Sequence, residues 1–198
     1  KYTGSNSFSS TLSMNKYFST KIVESAGFYV PKTYLISKSM VDEDISNLTK
    51  RIKFPLFLKP NNGGSSDGAC IVKDVNELKK NLNLIFKTDN EAVLQEIVVG
   101  RELTCGVLGN VGSKITALPP VEIPKQGQFF DKKIKYSKDT VEICPAELTV
   151  KETNKIKNLS ERIHELLQCS GVSRSDFILS GNKFYYLETN SIPGMTES

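Results

Sequence analysis

The segment VSRSDFILSGNKFYYLETNSIPGM, from Val172 to Met195, has the most informative residue pattern in this chain. Two runs of alternating apolar and polar residues, 174–179 and 184–188, flank the polar turn 180–183. Alternation over this length is typical of half-buried strands, and a short polar turn between two such runs joins antiparallel neighbours. The stretch therefore predicts a β-hairpin.

The register of this hairpin brings polar side chains together. Side chains two residues apart share one face of a strand. A loop of residues 181–183 sets Asp176 opposite Glu188 and Arg174 opposite Asn190. All four polar side chains then share one face of the hairpin, and apolar side chains occupy the other.

Two carboxylates directly opposite each other repel, and a divalent cation would relieve that repulsion. Carboxylate and amide oxygens are ligands suited to Mg²⁺. The spacing therefore indicates a metal site at Asp176, Glu188 and Asn190. A polar outer face, whose acids simply meet water, explains the same spacing, and the hairpin alone leaves both interpretations open.

Composition sets wide bounds on the rest of the chain. Its 198 residues suffice for one large or two small domains, and 38% hydrophobic with 24% charged residues is ordinary for a globular protein. No apolar run approaches the roughly 20 residues of a membrane-spanning helix, and no signal-peptide pattern occurs. Because the chain begins at Lys1 without a methionine and stops soon after the hairpin, we expect it to be a piece of a longer protein.

The cysteines and the charge balance exclude several classes of protein. Cys70, Cys105, Cys144 and Cys169 lack the paired spacing of zinc or redox motifs, so we expect reduced, structural thiols in the cytoplasm. The net charge of +4 comes from 26 basic and 22 acidic residues, which are mostly interleaved. This balance weakly favours anionic ligands, and we expect neither a nucleic-acid nor a membrane partner.

A second informative stretch, FPLFLKPNNGGSSDGACIV, spans residues 54–72. An apolar strand leads to Lys59, and a loop rich in glycine and serine follows. Backbone N–H groups of such a loop, with the hydroxyls of Ser65 and Ser66, can surround phosphate oxygens. The loop is not a P-loop, because no Gly-Lys-Ser/Thr opens a helix after it. A flexible hairpin tip is the alternative.

The segment 126–140 is rich in lysine and carries Lys135 and Tyr136. It is interpreted either as a lid over phosphates or as a solvated loop. His164 lies at the border of an apolar helical stripe and is predicted to be a surface residue. Helices are predicted at 7–26, 41–48, 76–86 and 153–167, and strands at 33–36, 93–96, 103–108, 115–118, 121–123 and 141–145.

Several short motifs in order along the chain resemble those of the D-alanine–D-alanine ligase family. The glycine-rich loop and the final hairpin are specific when they occur together. The motifs are Tyr2-Thr3-Gly4-Ser5, Leu12–Lys16, Lys59-Pro60 with Gly64–Gly68, Gln95-Glu96, Gly100-Arg101-Glu102, Ala117–Ile123, Phe130-Asp131, Lys135-Tyr136, Cys144-Pro145-Ala146, Arg174-Ser175-Asp176 and Glu188–Met195.

This resemblance implies an α+β protein of the ATP-grasp fold. In that fold two α/β subdomains with antiparallel sheets clamp ATP. The predicted subdomains are residues 1–97, with the glycine-rich loop, and residues 98–198, with the lid and the metal-binding hairpin.

The resemblance also implies roles for individual residues. Asp176, Glu188 and Asn190 would hold two Mg²⁺ or Mn²⁺ ions, and Arg174 and the amide of Gly194 would stabilise developing oxyanion charge. Ser65 would belong to the closing loop and Tyr136 to the lid, and both are candidate catalytic residues. The nucleotide would contact Lys16, Lys59, Ser65, Ser66, the backbone at Glu96 and Ile97, Glu102 and Lys135.

The implied reaction uses ATP to join two D-alanines for peptidoglycan synthesis. The resemblance also implies that the full-length protein is a cytoplasmic homodimer. The piece itself is expected to be inactive, because the family's N-terminal domain and final helix are absent. Ile97 and Lys132-Lys133 depart from the family pattern, whereas Tyr136 favours D-alanine over D-lactate as second substrate. The alternatives are a ligase for another amino acid or peptide, or a non-catalytic ATP-binding module.

Overall fold

A computed structural model describes residues 3–40, 42–64, 67–124 and 142–194. The chain forms two compact units. The first unit comprises residues 15–17 and 31–97, and the second comprises residues 3–14, 18–30 and the described residues from 98 onward. The unit changes after residue 97, and residues 3–14 and 18–30 pack with the second unit. The predicted subdomains, residues 1–97 and 98–198, stay a prediction.

The described residues form five helices and nine strands. The helices are α1 (Ser7–Met14), α2 (Lys16–Ser25), α3 (Asp42–Thr49), α4 (Val75–Ile85) and α5 (Val150–Leu166). The strands are β1 (Thr33–Ser37), β2 (Leu56–Pro60), β3 (Cys70–Val72), β4 (Glu91–Glu96), β5 (Arg101–Asn110), β6 (Thr116–Ala117), β7 (Val121–Ile123), β8 (Ser170–Ser180) and β9 (Lys183–Asn190).

The first unit is built on an antiparallel sheet with strand order β1-β4-β2-β3. Helix α4 packs on this sheet through Leu78, Leu82 and Ile85, whose spacing places them on one helix face. Asp74 caps this helix, since its carboxylate accepts hydrogen bonds from two N–H groups of the first turn. The sequence therefore determines both the start and the buried face of α4.

The second unit is built on an antiparallel sheet with strand order β6-β5-β8-β9, and β7 pairs with β5 beside β6. Helix α5 begins at a reciprocal capping box, in which Thr149 and Glu152 satisfy each other's backbone N–H groups. Ile156 and Ile163 of α5 enter the core of this unit. The polar face of the hairpin is the face of the sheet opposite that core.

His164 is buried, so its prediction as a surface residue was wrong. Its side chain is 0% exposed and lies 2.7 Å from the Ser173 hydroxyl and 3.2 Å from the Gly109 carbonyl oxygen. Because a carbonyl only accepts, Nε2 carries the proton and Nδ1 accepts from Ser173. The polar partners come from β5 and β8, which the periodicity of a single helix does not show.

The hairpin pairs Asp176 with Glu188 and Arg174 with Asn190, as predicted. The loop, however, has two residues rather than three, because Ser180 pairs with Lys183. Gly181 opens it with φ of +59°, the conformation that a type II′ turn needs at this position.

A β-bulge restores the predicted pairing beyond the turn. Phe177 pairs with Tyr186, and the next residue, Asp176, pairs with Glu188, so Leu187 is the extra residue on β9. The bulge compensates for the shorter loop. The predicted pairs were therefore correct although the predicted loop was not.

The single helix predicted over 7–26 is two helices, separated at Asn15. The N–H groups of Lys16 and Tyr17 donate to Asn61, to its carbonyl oxygen at 3.0 Å and to its side-chain oxygen at 2.9 Å. A new helix therefore begins at Lys16, with its first two N–H groups bonded to Asn61. Of the predicted strand at 141–145, residue 141 lies outside the described residues, and Ile143 forms an isolated bridge with Glu122.

Candidate functional site

The polar face of the second sheet carries the candidate metal ligands. Residues directly opposite each other in an antiparallel register share a face. Thr104, Asp176 and Glu188 form one row across β5, β8 and β9, and Arg174 and Asn190 belong to the next row. The structure thus brings four of the predicted site residues onto adjacent positions of one face.

Arg174 and Asp176 form a bidentate ion pair. Nε of Arg174 donates to Oδ1 of Asp176 at 2.8 Å, and Nη2 donates to Oδ2 at 3.0 Å. The amide of Asn190 donates to the same Oδ2 at 3.4 Å. Burial opposes the charge of Arg174, but the hydrogen bonds and charge of Asp176, with the charges of Glu188 and Glu142, outweigh burial and raise the pKa of Arg174.

The ligand set at this face suits a hard divalent cation. Asp176 and Glu188 supply carboxylate oxygens from opposite positions, and Asn190 supplies an amide oxygen two residues beyond Glu188. Among the described residues no group of three or more histidine, cysteine or acidic side chains is arranged around a metal position. The candidate site therefore rests on two carboxylates and one amide, with Arg174 balancing part of their charge.

Thr104 is a residue of this face that the sequence analysis missed. Its side chain is 7% exposed, and its hydroxyl has no hydrogen-bond partner in the described part of the chain. It faces Asp176 across β5 and β8. The alternation that places Glu102 on this face places Thr104 there as well, so the strand pattern was a usable signal.

Lys59 and Lys16 belong to the first unit. Lys59 follows Leu58 on β2, and because Leu58 enters the core, Lys59 lies on the opposite face of the sheet. Lys16 begins α2, and its Nζ donates to the carbonyl oxygen of Gly63 at 2.6 Å. Both lysines are largely buried, with 7% and 9% of their surfaces exposed. A largely buried lysine has fewer accessible side-chain conformations than a solvated lysine on a helix surface.

The predicted adenine and ribose contacts lie at strand ends. Glu96 is the last residue of β4, its N–H donates to the carbonyl of Lys32, and its carboxylate lies 3.4 Å from the Lys32 ammonium. Ile97 follows β4 and ends the first unit. Glu102 is the second residue of β5 in the second unit and lies on the same face as Thr104.

Gly194 is exposed and follows β9 by four residues. Four other predicted site residues lie outside the described residues. They are Ser65, Ser66, Lys135 and Tyr136.

Comparison with known protein families decides the family of this chain. A family model described as D-ala D-ala ligase C-terminus matches residues 22–198. The chain belongs to this family. Curated family members include the D-alanine–D-alanine ligase of Leptospira interrogans, which is 37% identical over 205 residues covering 100% of the chain and 58% of the relative. The enzyme of Bacillus cereus, D-alanine–D-alanine ligase A, is 35% identical and is covered over 63% of its length.

Solved structures of the family share the fold. The VanG D-Ala:D-Ser ligase of Enterococcus faecalis superposes with a TM-score of 0.85 at 30% identity, over 97% of this chain and 56% of that one. A Bacillus anthracis D-alanine–D-alanine ligase complexed with ATP has a TM-score of 0.78 at 28% identity, over 98% of this chain and 59% of that one. The predicted ATP-grasp fold, with antiparallel sheets, is confirmed. The chain spans about three fifths of the length of the relatives that it matches.

Two further observations concern membrane-spanning helices and the state of the cysteines. None of the described helices is both long and apolar enough to cross a membrane. Cys70, Cys105, Cys144 and Cys169 are all free thiols.

Proposed function

We propose that this chain is the ATP-grasp part of a D-alanine–D-alanine ligase, which joins two D-alanines with ATP as a step of peptidoglycan precursor synthesis. The observation that carries the proposal is the shared polar face of β5, β8 and β9, with Arg174, Asp176, Glu188 and Asn190 in adjacent rows. Family membership and the ATP-bound relative support the choice of ATP as the phosphoryl donor.

The proposed reaction has two steps. A carboxylate oxygen of the first D-alanine attacks the γ-phosphorus of ATP, and the bond between that phosphorus and ADP breaks to give an acyl phosphate. The amine of the second D-alanine then attacks the acyl carbon, and inorganic phosphate leaves as the peptide bond forms. Negative charge is carried by oxygens throughout, so positioned cations and N–H donors supply most of the rate enhancement.

Several of the described site residues have a role in this scheme. Lys16 and Lys59 contact phosphate oxygens and offset their charge, and Glu102 binds the ribose hydroxyls. Arg174 and the Gly194 N–H stabilise the oxyanion that develops in each step. A positioned donor of this kind is typically worth about 10²–10³ in rate. Ser65, Ser66, Lys135 and Tyr136 keep the roles implied by the family resemblance.

Asp176, Glu188 and Asn190 would hold Mg²⁺ or Mn²⁺, which when bound neutralises phosphate charge and orients the γ-phosphate. Both oxygens of Asp176 accept hydrogen bonds from Arg174. The guanidinium thus keeps the Asp176 carboxylate on the polar face and offsets its repulsion from Glu188. This proposal predicts that losing the Glu188 carboxylate weakens metal binding.

The identity of the second substrate, the cellular location and the partners of the protein are also proposals. Similarity to the VanG D-Ala:D-Ser ligase supports D-serine as the competing second substrate. A cytoplasmic location is supported by the free cysteines. The homodimer, and the absence of nucleic-acid and membrane partners, stay predictions.

The proposal is tested by ADP release from the whole gene product that carries this chain. The assay supplies ATP, Mg²⁺ and one of D-alanine, D-serine, D-lactate or L-alanine. We expect release that depends on D-alanine and yields D-alanyl-D-alanine. ATP binding without ADP release in the presence of any amino acid would instead identify a non-catalytic ATP-binding module. D-alanyl-D-serine as the main product when D-alanine and D-serine are supplied together would assign the alternative product.

A further inference from the structure

Asn61 connects the end of β2 to the start of α2. It is 0% exposed. Its carbonyl oxygen accepts from the Lys16 N–H at 3.0 Å, and its side-chain Oδ1 accepts from the Tyr17 N–H at 2.9 Å. The first N–H groups of a helix have no partner within that helix. Asn61 therefore caps α2 from a different element of the fold.

Glu91 holds Asn61 in this position. The Asn61 N–H donates to the Glu91 carbonyl at 3.0 Å, and Nδ2 donates to the Glu91 carboxylate at 2.6 Å. Only the NH₂ group of an asparagine side chain can donate to a carboxylate, so the amide oxygen is directed to Tyr17. The carboxylate thus fixes the orientation in which Asn61 acts as a cap.

Lys16 is held at its other end by the glycine-rich loop. Its ammonium donates to the carbonyl oxygen of Gly63, two residues after Asn61. The backbone of Lys16 is attached to Asn61 and its side-chain nitrogen to Gly63. One lysine therefore spans the start of the loop, and its ammonium position depends on both attachments.

We propose that Asn61, oriented by Glu91, is a positioning residue that places the Lys16 ammonium for contact with nucleotide phosphates. This inference rests on the proposed function, in which Lys16 binds phosphate. A charged donor contributes most when its position is fixed before the ligand arrives, because no ordering of a long side chain is then needed. Asn61 is expected to affect phosphate affinity and to leave adenosine affinity unchanged.

Exchange of donor and acceptor between positions 61 and 91 tests this role. Asn61→Asp places a carboxylate against the Glu91 carboxylate and removes the donor. In the double variant Asn61→Asp/Glu91→Gln, the new amide at 91 donates to the new carboxylate at 61, which still accepts from Tyr17. The double variant therefore restores the geometry that the single variant loses.

Asn62 provides a matched control. Its N–H and Nδ2 donate to the Asp89 carboxylate at 2.8 and 3.2 Å, so Asn62→Asp creates the same kind of carboxylate contact one residue further on. Unlike Asn61, Asn62 has no hydrogen bond to α2 among those described. A loss of ATP affinity caused by general loosening of the loop would appear in both variants.

Calorimetry measures the affinities of the whole gene product and its variants for ATP and for adenosine. We expect Asn61→Asp to weaken ATP binding by about tenfold, a typical cost for a charged hydrogen bond, with adenosine unaffected. The double variant should recover most of that loss, and Asn62→Asp should cause a much smaller one.

Three results would overturn the inference. One is a double variant as weak as Asn61→Asp, another is an equal loss for adenosine and ATP, and the third is wild-type ATP affinity in Asn61→Asp. If the wild-type protein itself fails to bind ATP, the proposed function is wrong, and the positioning role is wrong with it.

Discussion

Arg174 and Asp176 lie two residues apart on β8, and their side chains meet through two parallel hydrogen bonds. Only the planar fork of a guanidinium makes this contact, because a lysine ammonium presents a single point of charge. The pair lies beside Glu188, so the residue proposed to stabilise oxyanions also holds a proposed metal ligand in place. At this scale the chemistry depends on which charges share one face of the sheet.

The substitution Glu188→Gln tests whether Glu188 is a metal ligand. The substitution keeps the size of the side chain and removes its charge, so Mn²⁺ affinity should fall at least about tenfold. Binding is followed by electron paramagnetic resonance of Mn²⁺ added to the protein.

Glu165→Gln, on the exposed side of α5, is the control with the same change in charge and should bind Mn²⁺ as the wild type does. Equal Mn²⁺ affinity in Glu188→Gln and the wild type would remove Glu188 from the site.

Strands and helices were predictable wherever the pattern was local. The pairs Asp176–Glu188 and Arg174–Asn190 follow from alternation and the turn, and α4 and α5 follow from apolar spacing. The break between α1 and α2 was not predictable, because it depends on Asn61, which lies about 45 residues away in sequence. Buried His164 was missed for the same reason, since its partners come from two strands.

The buried His164 predicts how stability depends on pH. Burial lowers the pKa of His164 from its ordinary value of 6.5, although the Gly109 carbonyl and the charge of Glu165 act in the opposite direction. Below pH 6.5 the unfolded chain therefore binds a proton that the folded chain still excludes. The free energy of unfolding should fall as the pH drops through that value, by at most about 1.4 kcal/mol per pH unit from this group.

Denaturant unfolding at a series of pH values from 7.5 to 5.5 checks this expectation. His164→Gln keeps a polar side chain but cannot titrate, so its stability should vary less over this range. A variant with the same pH dependence as the wild type would show that other groups cause it. Activity is not the readout, because His164 lies on the core side of the sheet.

On the scale of the whole molecule, each unit carries candidate site residues on one sheet face or at one helix end. The first unit presents Lys16 and Lys59, and the second presents Arg174, Asp176 and Glu188. Motif order along the chain predicted the family and the ATP-grasp fold, and both are confirmed. The grouping of residues 3–14 and 18–30 with the second unit was not predictable, since it depends on contacts such as Ser5 with Ser170.

In the proposed function ATP activates a D-alanine carboxylate, and transfer of a carboxylate oxygen to phosphate reports this step. The whole gene product is incubated with ATP, Mg²⁺ and D-alanine labelled with ¹⁸O at both carboxylate oxygens, and the released phosphate is analysed by mass spectrometry. Attack of the carboxylate on the γ-phosphorus predicts one ¹⁸O atom in each phosphate released with dipeptide. Unlabelled phosphate accompanying dipeptide formation would contradict the account.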